Sequence, residues 1–331
     1  EGSVEGWFPE LFRNLDWISR WKDPRYPDPA FTPMAAGIRY ADKVNTVSPT
    51  YAREILSPSD PAAGFVGGEG LESLLADAGS HARLFGILNG CEYPTGRRDL
   101  RMSFADLCGV IREEIAKWKL REDDPVRVGM MERLETIRKL NPSILLTSIT
   151  RVVEQKVRLL MEEGSRGTRA IDDLLQMLPS HNGVFILLGS GTPEYEAALQ
   201  KVQLEHERFL FLRGYSELIG DALYSNGSMF LMPSLFEPCG ISQMVAMRDG
   251  QPCIVHAVGG LKDTVIDRVN GFQFTGGDIS GKVDNVIKVT GEALRLHSTD
   301  PRGWKKIATE AGRARFTWES SARQYVDLLY T

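Results

Sequence analysis

The sequence lacks what would mark a metal, disulfide or membrane protein. Its four cysteines, Cys91, Cys108, Cys239 and Cys253, form no Cys-x-x-Cys pair and no short framework. Reduced thiols in a cytoplasmic protein are expected rather than disulfides, or a plastid location if the source is a plant or alga. Five scattered histidines, His81, His181, His206, His256 and His297, show no ligand spacing, so no metal is expected. Apolar runs such as 184–188 and 209–212 are far too short to span a bilayer. Positive charge is not in excess: 39 Lys and Arg stand against 44 Asp and Glu, net −5, which gives no reason to expect nucleic acid. Glu1 is preceded by no Met and followed by no leader pattern, so a cut or partial start is expected. There is no internal repeat.

What is present is an ordinary globular composition, 42% hydrophobic and 25% charged, over 331 residues, enough for two domains. Residues 1–33 are rich in Trp, Tyr, Pro and Asp without sustained periodicity. They predict a short helix or two and an extended loop. A helix is expected over 34–40, a strand over 43–47, and a helix over 51–56 capped by Thr50. A glycine loop at 64–70 precedes a helix over 71–78, and a strand over 84–88 runs into Asn89-Gly90, a turn signal. Ser103 and Asp106 form a capping-box-like start to an amphipathic helix through 120, which Asp123-Asp124-Pro125 ends. A second helix is expected over 126–140.

From residue 141 strands and helices alternate as in βα units. Strands are expected at 144–149, 183–188, 209–212, 229–232, 252–255 and 271–274, with helices between them and a closing amphipathic helix over 318–330. Residues 141–315 therefore read as one doubly wound parallel α/β domain. The part before 89 holds too few strands for a whole domain and reads as the back half of a second.

The organising stretch is 228–265, SMFLMPSLFEPCGISQMVAMRDGQPCIVHAVGGLKDTV. It predicts two strand–turn–helix units, with helices opening near Pro238-Cys239-Gly240 and near Lys262. Their glycine-bearing turns fall at strand carboxyl ends, where helix N-termini favour anions. Three further clusters share that edge. Arg151 and Lys156 leave the 144–149 strand, where a guanidinium and an ammonium can converge on a diphosphate; a solvated helix start would use the same residues. Gly189, Ser190 and Gly191 allow close backbone approach to a ligand, or a simple tight turn. Tyr215 is placed to stack on a base or to cap the core. Glu237 is either a ligand to a sugar or a helix cap.

The succession SPTYAREI (48–55), GILNG (86–90), TSITRVVEQK (147–156), LGSGTP (188–193), GYSE (214–217), PSLFEPCGISQ (233–243) and VGGLKDTV (258–265) resembles bacterial glycogen synthase and plant starch synthase. The resemblance implies an α/β GT-B fold, two Rossmann-like domains facing across a cleft, the first incomplete in this chain. It implies glucose transfer from ADP-glucose to the non-reducing end of an α-1,4-glucan, with retention and without metal or cofactor. The partners are then a nucleotide sugar and an α-glucan, with no nucleic acid and no membrane. The resemblance assigns Arg151 and Lys156 to the departing diphosphate and Glu237 to the donor sugar, beside the Cys239, Gly240 and Ile241 backbone. It assigns Asn89 to the sugar, Tyr215 to adenine, and Val258, Gly259, Gly260 and Leu261 to phosphate. The implied division is 1–95 acceptor side, 96–140 charged linker or insert, 141–315 donor side, and 316–331 a helix crossing back. The chain departs from the family at Val258 (usually Thr), at Val157 (usually Gly), at Cys91-Glu92 after the NG pair, and in the 96–140 segment. The family's amino-terminal KTGGL-type loop and His-Asn segment are not found. A non-catalytic nucleotide-sugar or glucan-binding fragment, or another retaining GT-B enzyme such as a sucrose-synthase-like one, is the alternative. The latter predicts a second Glu eight residues after Glu237, where Val245 stands.

Overall fold

The computed structural model describes residues 33–94 and 100–330. The helices and loop expected before residue 33, and the first residues of the 96–140 segment, lie outside the described residues. Helix α1 (Pro33–Tyr40), strand β1 (Val44–Thr46), helices α2 (Pro49–Glu54) and α3 (Glu72–Ser80) and strand β2 (Leu84–Gly86) form a small first unit. Its two strands pair in parallel, Val44 opposite Leu84. Ala35, Ile38, Ile55, Leu71, Leu75 and Ala78 make its core. The cap of α2 is Ser48, whose hydroxyl accepts from the Tyr51 amide at 3.1 Å. Thr50, expected in that role, sits one residue inside the helix and turns toward the second unit.

The second unit is a six-stranded sheet of β3 (Ile144–Ile149), β4 (Gly183–Gly189), β5 (Phe209–Arg213), β6 (Met229–Met232), β7 (Cys253–His256) and β8 (Gly271–Phe274). Its order is β5-β4-β3-β6-β7-β8 and every adjacent pair is parallel. Parallel strands are buried on both faces, which is why these segments are apolar at nearly every position. Along β4, Phe185 and Leu187 enter one core while Val184, Ile186 and Leu188 enter the other. β5 divides the same way, Phe209 and Phe211 against Leu210 and Leu212. Chain order reverses between β3 and β6, so a crevice opens beyond their carboxyl ends.

Helices α4 (Phe104–Lys117) and α5 (Pro125–Leu140) form part of a covering layer. Leu107, Ile111 and Ile115 of α4 and Met130, Leu134 and Ile137 of α5 are fully buried against β4 and β5. Their charged residues lie on the other side, so a segment that looks like a linker by charge packs as part of the sandwich. Ser103 caps α4, with its hydroxyl accepting from the Asp106 amide. Asp124 does not end α4 but caps α5 by accepting from the Val126 amide at 2.9 Å. The other covering helices include α6 (Glu154–Met161), α7 (Ala170–Met177), α8 (Pro193–Glu205), α9 (Glu217–Asn226), α10 (Ser242–Arg248) and α11 (Gly259–Thr264). They are followed by α12 (Ile279–Thr299) and α13 (Pro301–Arg313). α10 begins later than expected, because Gly240 takes a left-handed φ of +72° and breaks any helix from Pro238.

Last comes α14 (Trp318–Leu329), which lies on the first unit. Ser321 Oγ donates to Leu88 O at 2.6 Å, and Asn45 Nδ2 donates to the Tyr325 hydroxyl at 3.0 Å. Asn89-Gly90 is not a turn but an extended crossing between units. The Cys91 amide donates to Phe316 O at 2.7 Å, and a Cβ at Gly90 would lie 2.2 Å from the Trp318 nitrogen. Backbone contact therefore overrides the local turn preference. All four cysteines are buried and unpaired, and no described helix is long and apolar enough to cross a membrane.

Gly90→Ala should lower the thermal unfolding midpoint clearly, because the added methyl meets backbone that cannot yield. Gly37→Ala on α1, where a Cβ meets nothing within 4 Å, should instead be neutral or stabilising by up to about 1 kcal/mol. Equal behaviour of the two variants in a melting experiment would show that the crossing tolerates expansion.

Candidate active site

Three loops converge at the crevice: 150–156 after β3, 233–241 after β6, and 257–261 after β7. The first is locked to the turn after β4. Thr150 and Val152 amides donate to Leu188 and Ser190 carbonyls at 3.0 and 2.9 Å, and the Thr192 amide returns a bond to Val152 O. A Cβ at Gly189 would lie 1.9 Å from Thr150 O, and one at Gly191 2.0 Å from Val152 O. The glycines of the LGSG turn are thus demanded by backbone packing. The Gly191 amide is taken by Glu196 Oε1 at 2.7 Å, and Glu196 is itself paired with Arg213. Ser190 stands exposed beside them.

Lys156, in the first turn of α6, is buried and forms an ion pair with Glu237 Oε2, also buried. This pair bridges the β3 and β6 loops at the point where strand order reverses. Leu235 N donates to Gln155 O at 2.8 Å and Gln155 Nε2 to Phe236 O at 2.9 Å, so the loops are held in register on both sides of it. Ser234 Oγ donates to the same Glu237 oxygen at 3.2 Å. Beneath Ser234 lies His256, at the end of β7, with Nδ1 2.9 Å from Ser234 O. Since a carbonyl only accepts, Nδ1 carries the proton. Burial pulls the His256 pKa down to about 4, so the ring is neutral near pH 7. Nothing in histidine spacing signals this residue. Arg151, by contrast, is exposed and does not join Lys156 in this structure.

The double glycine closes the third side. A Cβ at Gly259 would fall 1.9 Å from Glu237 O, and one at Gly260 2.2 Å from Cys239 O. α11 starts at Gly259, earlier than expected, with φ +42° there. The amides of Gly259, Gly260 and Leu261 were expected to face phosphate, with Val258 before them in the same loop. Those of Val258, Gly260 and Leu261 are bonded to His256, Glu237 and Val258 carbonyls respectively, and Leu261 is wholly buried. Only the Gly259 amide meets a side chain: it donates to both oxygens of Glu54, at 3.0 and 3.1 Å.

Glu54 belongs to the first unit, which docks on these loops. Ser48 Oγ donates to Pro238 O at 2.6 Å, and Thr50 gives its amide and hydroxyl to the two Asp263 oxygens at 2.8 and 2.6 Å. Lys282 Nζ donates to Ala63 O. Asn89 lies against Cys239, its backbone amide reaching the thiol, and burial pushes that thiol's pKa up to about 11. Ile241 is exposed at the rim and Gly240 makes the bend before it. Glu54, Asp263, Ser48 and His256 are all contacts that sequence reasoning missed, although the first three lie in quoted motifs.

Tyr215 stands at the end of β5, 77% exposed, which rules out the core role. The neighbouring Gly214 amide donates to Gly189 O at 3.1 Å, placing it beside the β4 turn. Among the described residues one group has ligand-like proximity, Asp172, Glu205 and His206. It sits at the far end of α8 from these loops, and Arg169 pairs with both of its acids.

Residues 165–291 match the family model for glycosyl transferases group 1, and residues 3–77 that for the starch synthase catalytic domain. The glycogen synthase of Deinococcus radiodurans is 33% identical over 305 residues, covering 89% of this chain and 58% of that protein. The chain therefore spans less than two thirds of that relative's length. Among solved structures, the catalytic domain of starch synthase IV from Arabidopsis thaliana, bound to ADP and acarbose, is similar with a TM-score of 0.68. It is 26% identical and covers 96% of this chain and 61% of its own. HepE from Anabaena, in complex with UDP and glucose, shares the fold at 17% identity and TM-score 0.54, covering 98% of this chain and 68% of its own. The fold is GT-B.

Lys156→Met leaves Glu237 buried without its cation and should destabilise the fold by about 3–5 kcal/mol in urea unfolding, most of it recovered by adding Glu237→Leu. A single variant as stable as the parent would mean the pair contributes nothing. Glu54 gives a pH signature. Burial raises its pKa above the ordinary 4.5, against the opposing pull of the Gly259 amide. Its contribution to stability is thus full below 4.5 and lost as pH rises through the raised value. Glu54→Gln, which keeps an acceptor for Gly259, should melt higher than the parent at pH 7, with the gain vanishing as pH falls below 4.5. A gain unchanged across that range would contradict this.

Proposed function

We propose, for a chain related to the glycogen synthase and starch synthase family and sharing its GT-B fold, that it transfers glucose from ADP-glucose to the non-reducing end of an α-1,4-glucan, with retention. The observation that carries this is the convergence of Lys156 and Glu237 with the Gly259 turn, whose amide the Glu54 carboxylate holds, at the reversal point of the sheet. There an anionic leaving group and its sugar meet fixed partners. As the sugar–phosphate bond breaks, charge gathers on the diphosphate oxygens. Lys156, with Arg151 swinging in from the exposed rim, stabilises that charge without a divalent ion or other cofactor. Glu237 and the Cys239–Ile241 backbone hold the donor sugar, and Asn89 approaches it from the crossing. The Val258–Leu261 turn with Gly189, Ser190 and Gly191 lines the phosphate and nucleoside path, and Tyr215 stacks on the base. Glu237 is engaged by Lys156 rather than free as a nucleophile, which favours front-face retention over a two-carboxylate hydrolysis.

The division of labour follows. Residues 33–94 supply the acceptor side, 141–315 bind the donor with α4 and α5 packed on their sheet, and α14 ties back to the first unit. The setting is cytoplasmic, as the reduced thiols suggest.

The test is calorimetric titration with ADP, ADP-glucose and UDP-glucose beside a glucose-transfer assay on glycogen. Arg151→Ala, exposed and without packing duties, should bind ADP-glucose yet transfer about a hundred to a thousand times more slowly. Glu237→Gln keeps a polar group for Ser234 but leaves the buried Lys156 charge unpaired, so it should lower the melting temperature and abolish transfer at temperatures where melting curves show it folded. Wild-type rates in both variants would refute the assignment. Binding without transfer by the parent would indicate a donor-binding fragment.

A further inference from the structure

Tyr215 is not alone at the end of β5. It lines an open cavity of about 470 Å³ with Glu114 and Trp118 from the end of α4, and with Ser216, Glu217 and Asp221 from the start of α9. Two of these side chains therefore come from the 100–140 segment, more than ninety residues earlier in the chain. They are not loosely placed. The Trp118 ring lies directly on Gly214, where a Cβ would be 2.6 Å from it, so only glycine lets the indole approach the loop that carries Tyr215. Glu114 accepts from Ser216 Oγ at 2.8 Å through one oxygen and from Lys117 at 2.5 Å through the other. These bonds hold its carboxyl below the usual range, so it is ionised. The Ser216 hydroxyl in turn accepts from the Ile219 amide as the cap of α9. One network thus joins the end of α4 to the loop beside Tyr215.

The cavity combines two aromatic side chains with a wall of acceptors. Glu114, Glu217 and Asp221 supply carboxylates, and among the described residues no cation lines the cavity, Lys117 meeting Glu114 from outside it. Bases differ on their exposed edges in a way such a wall reads. Adenine offers an exocyclic amino donor, whereas the exocyclic groups of uracil, like those of thymine, are both carbonyls. A donor edge is bound by carboxylates; a carbonyl edge facing them is left unpaired and repelled.

We propose that Glu114 and Trp118 are specificity-determining residues that complete the nucleobase pocket around Tyr215 and select adenine over uracil. The helices of the 100–140 segment are then part of donor recognition, Trp118 adding aromatic surface and Glu114 the edge-reading acceptor. The inference rests on the donor site proposed above.

ADP and UDP are titrated calorimetrically into the full chain and into Tyr215→Ala, Trp118→Ala, Trp118→Phe and Glu114→Gln, with melting curves to confirm folding. The parent should bind ADP more tightly than UDP. Tyr215→Ala and Trp118→Ala should each weaken both nucleotides by roughly tenfold, the scale of a lost stacking surface, with Trp118→Phe restoring most of it. Glu114→Gln should narrow the ADP-to-UDP ratio by roughly tenfold, chiefly through ADP. If Tyr215→Ala weakens binding while Trp118→Ala and Glu114→Gln change neither affinity nor ratio, the inference fails and the donor site stands. If Trp118→Ala does not fold, Trp118→Phe and Glu114→Gln decide: an unchanged ratio in Glu114→Gln overturns the proposal. If Tyr215→Ala is also without effect, or the parent binds no ADP, both fall together.

Discussion

The buried ion pair of Lys156 and Glu237 is the constraint on which the rest of the second unit's loop architecture depends. Two desolvated charges are tolerable only if their geometry is fixed and their remaining valences are filled. The surrounding bonds do that. Gln155 and Leu235–Phe236 stitch the two loops together, Ser234 adds a donor to the carboxylate, and His256 holds Ser234 from below. The close glycine contacts at 259 and 260 then press the third loop onto the carbonyls of Glu237 and Cys239. A sheet that merely packed well would allow these loops to wander. A buried charge does not, because any displacement strands it.

The strands and their carboxyl ends were legible because a parallel sheet buried on both faces leaves unbroken apolar runs punctuated by glycine. β3, β6 and β8 fall where periodicity puts them. What stayed hidden is long-range and electrostatic. No local pattern says that Lys156 will spend its charge on a residue 81 positions away, or that Glu54 will reach an amide 205 positions on. Local preferences also lost where backbone met backbone. Asn89-Gly90 reads as a turn and is pulled straight by pairing with residues 316–318. Asp124 reads as a stop and serves as a start: an Asp followed by Pro suits an N-cap and a first helical position, not a C-terminus. The 100–140 helices read as a linker because their charge is visible in sequence while the partner for their apolar stripe is not.

Two glutamates occupy amides that turns after parallel strands would otherwise offer to an anion. Glu196 covers Gly191 from within the same βα unit and is fixed by Arg213. Glu54 covers Gly259 from the other unit, at an energetic disadvantage that its raised pKa records. The first is therefore permanent structure, and the second is the weaker occupant of its position.

The two places where the chain passes between units run side by side. Residues 89–91 leave the first unit against residues 316–318, which return to it, and α14 is bonded to the first unit beyond them. The units are consequently joined as by a strap doubled back through a buckle. Severing either passage leaves the units tethered by the other, so the covalent link between them is in effect made twice over at one place.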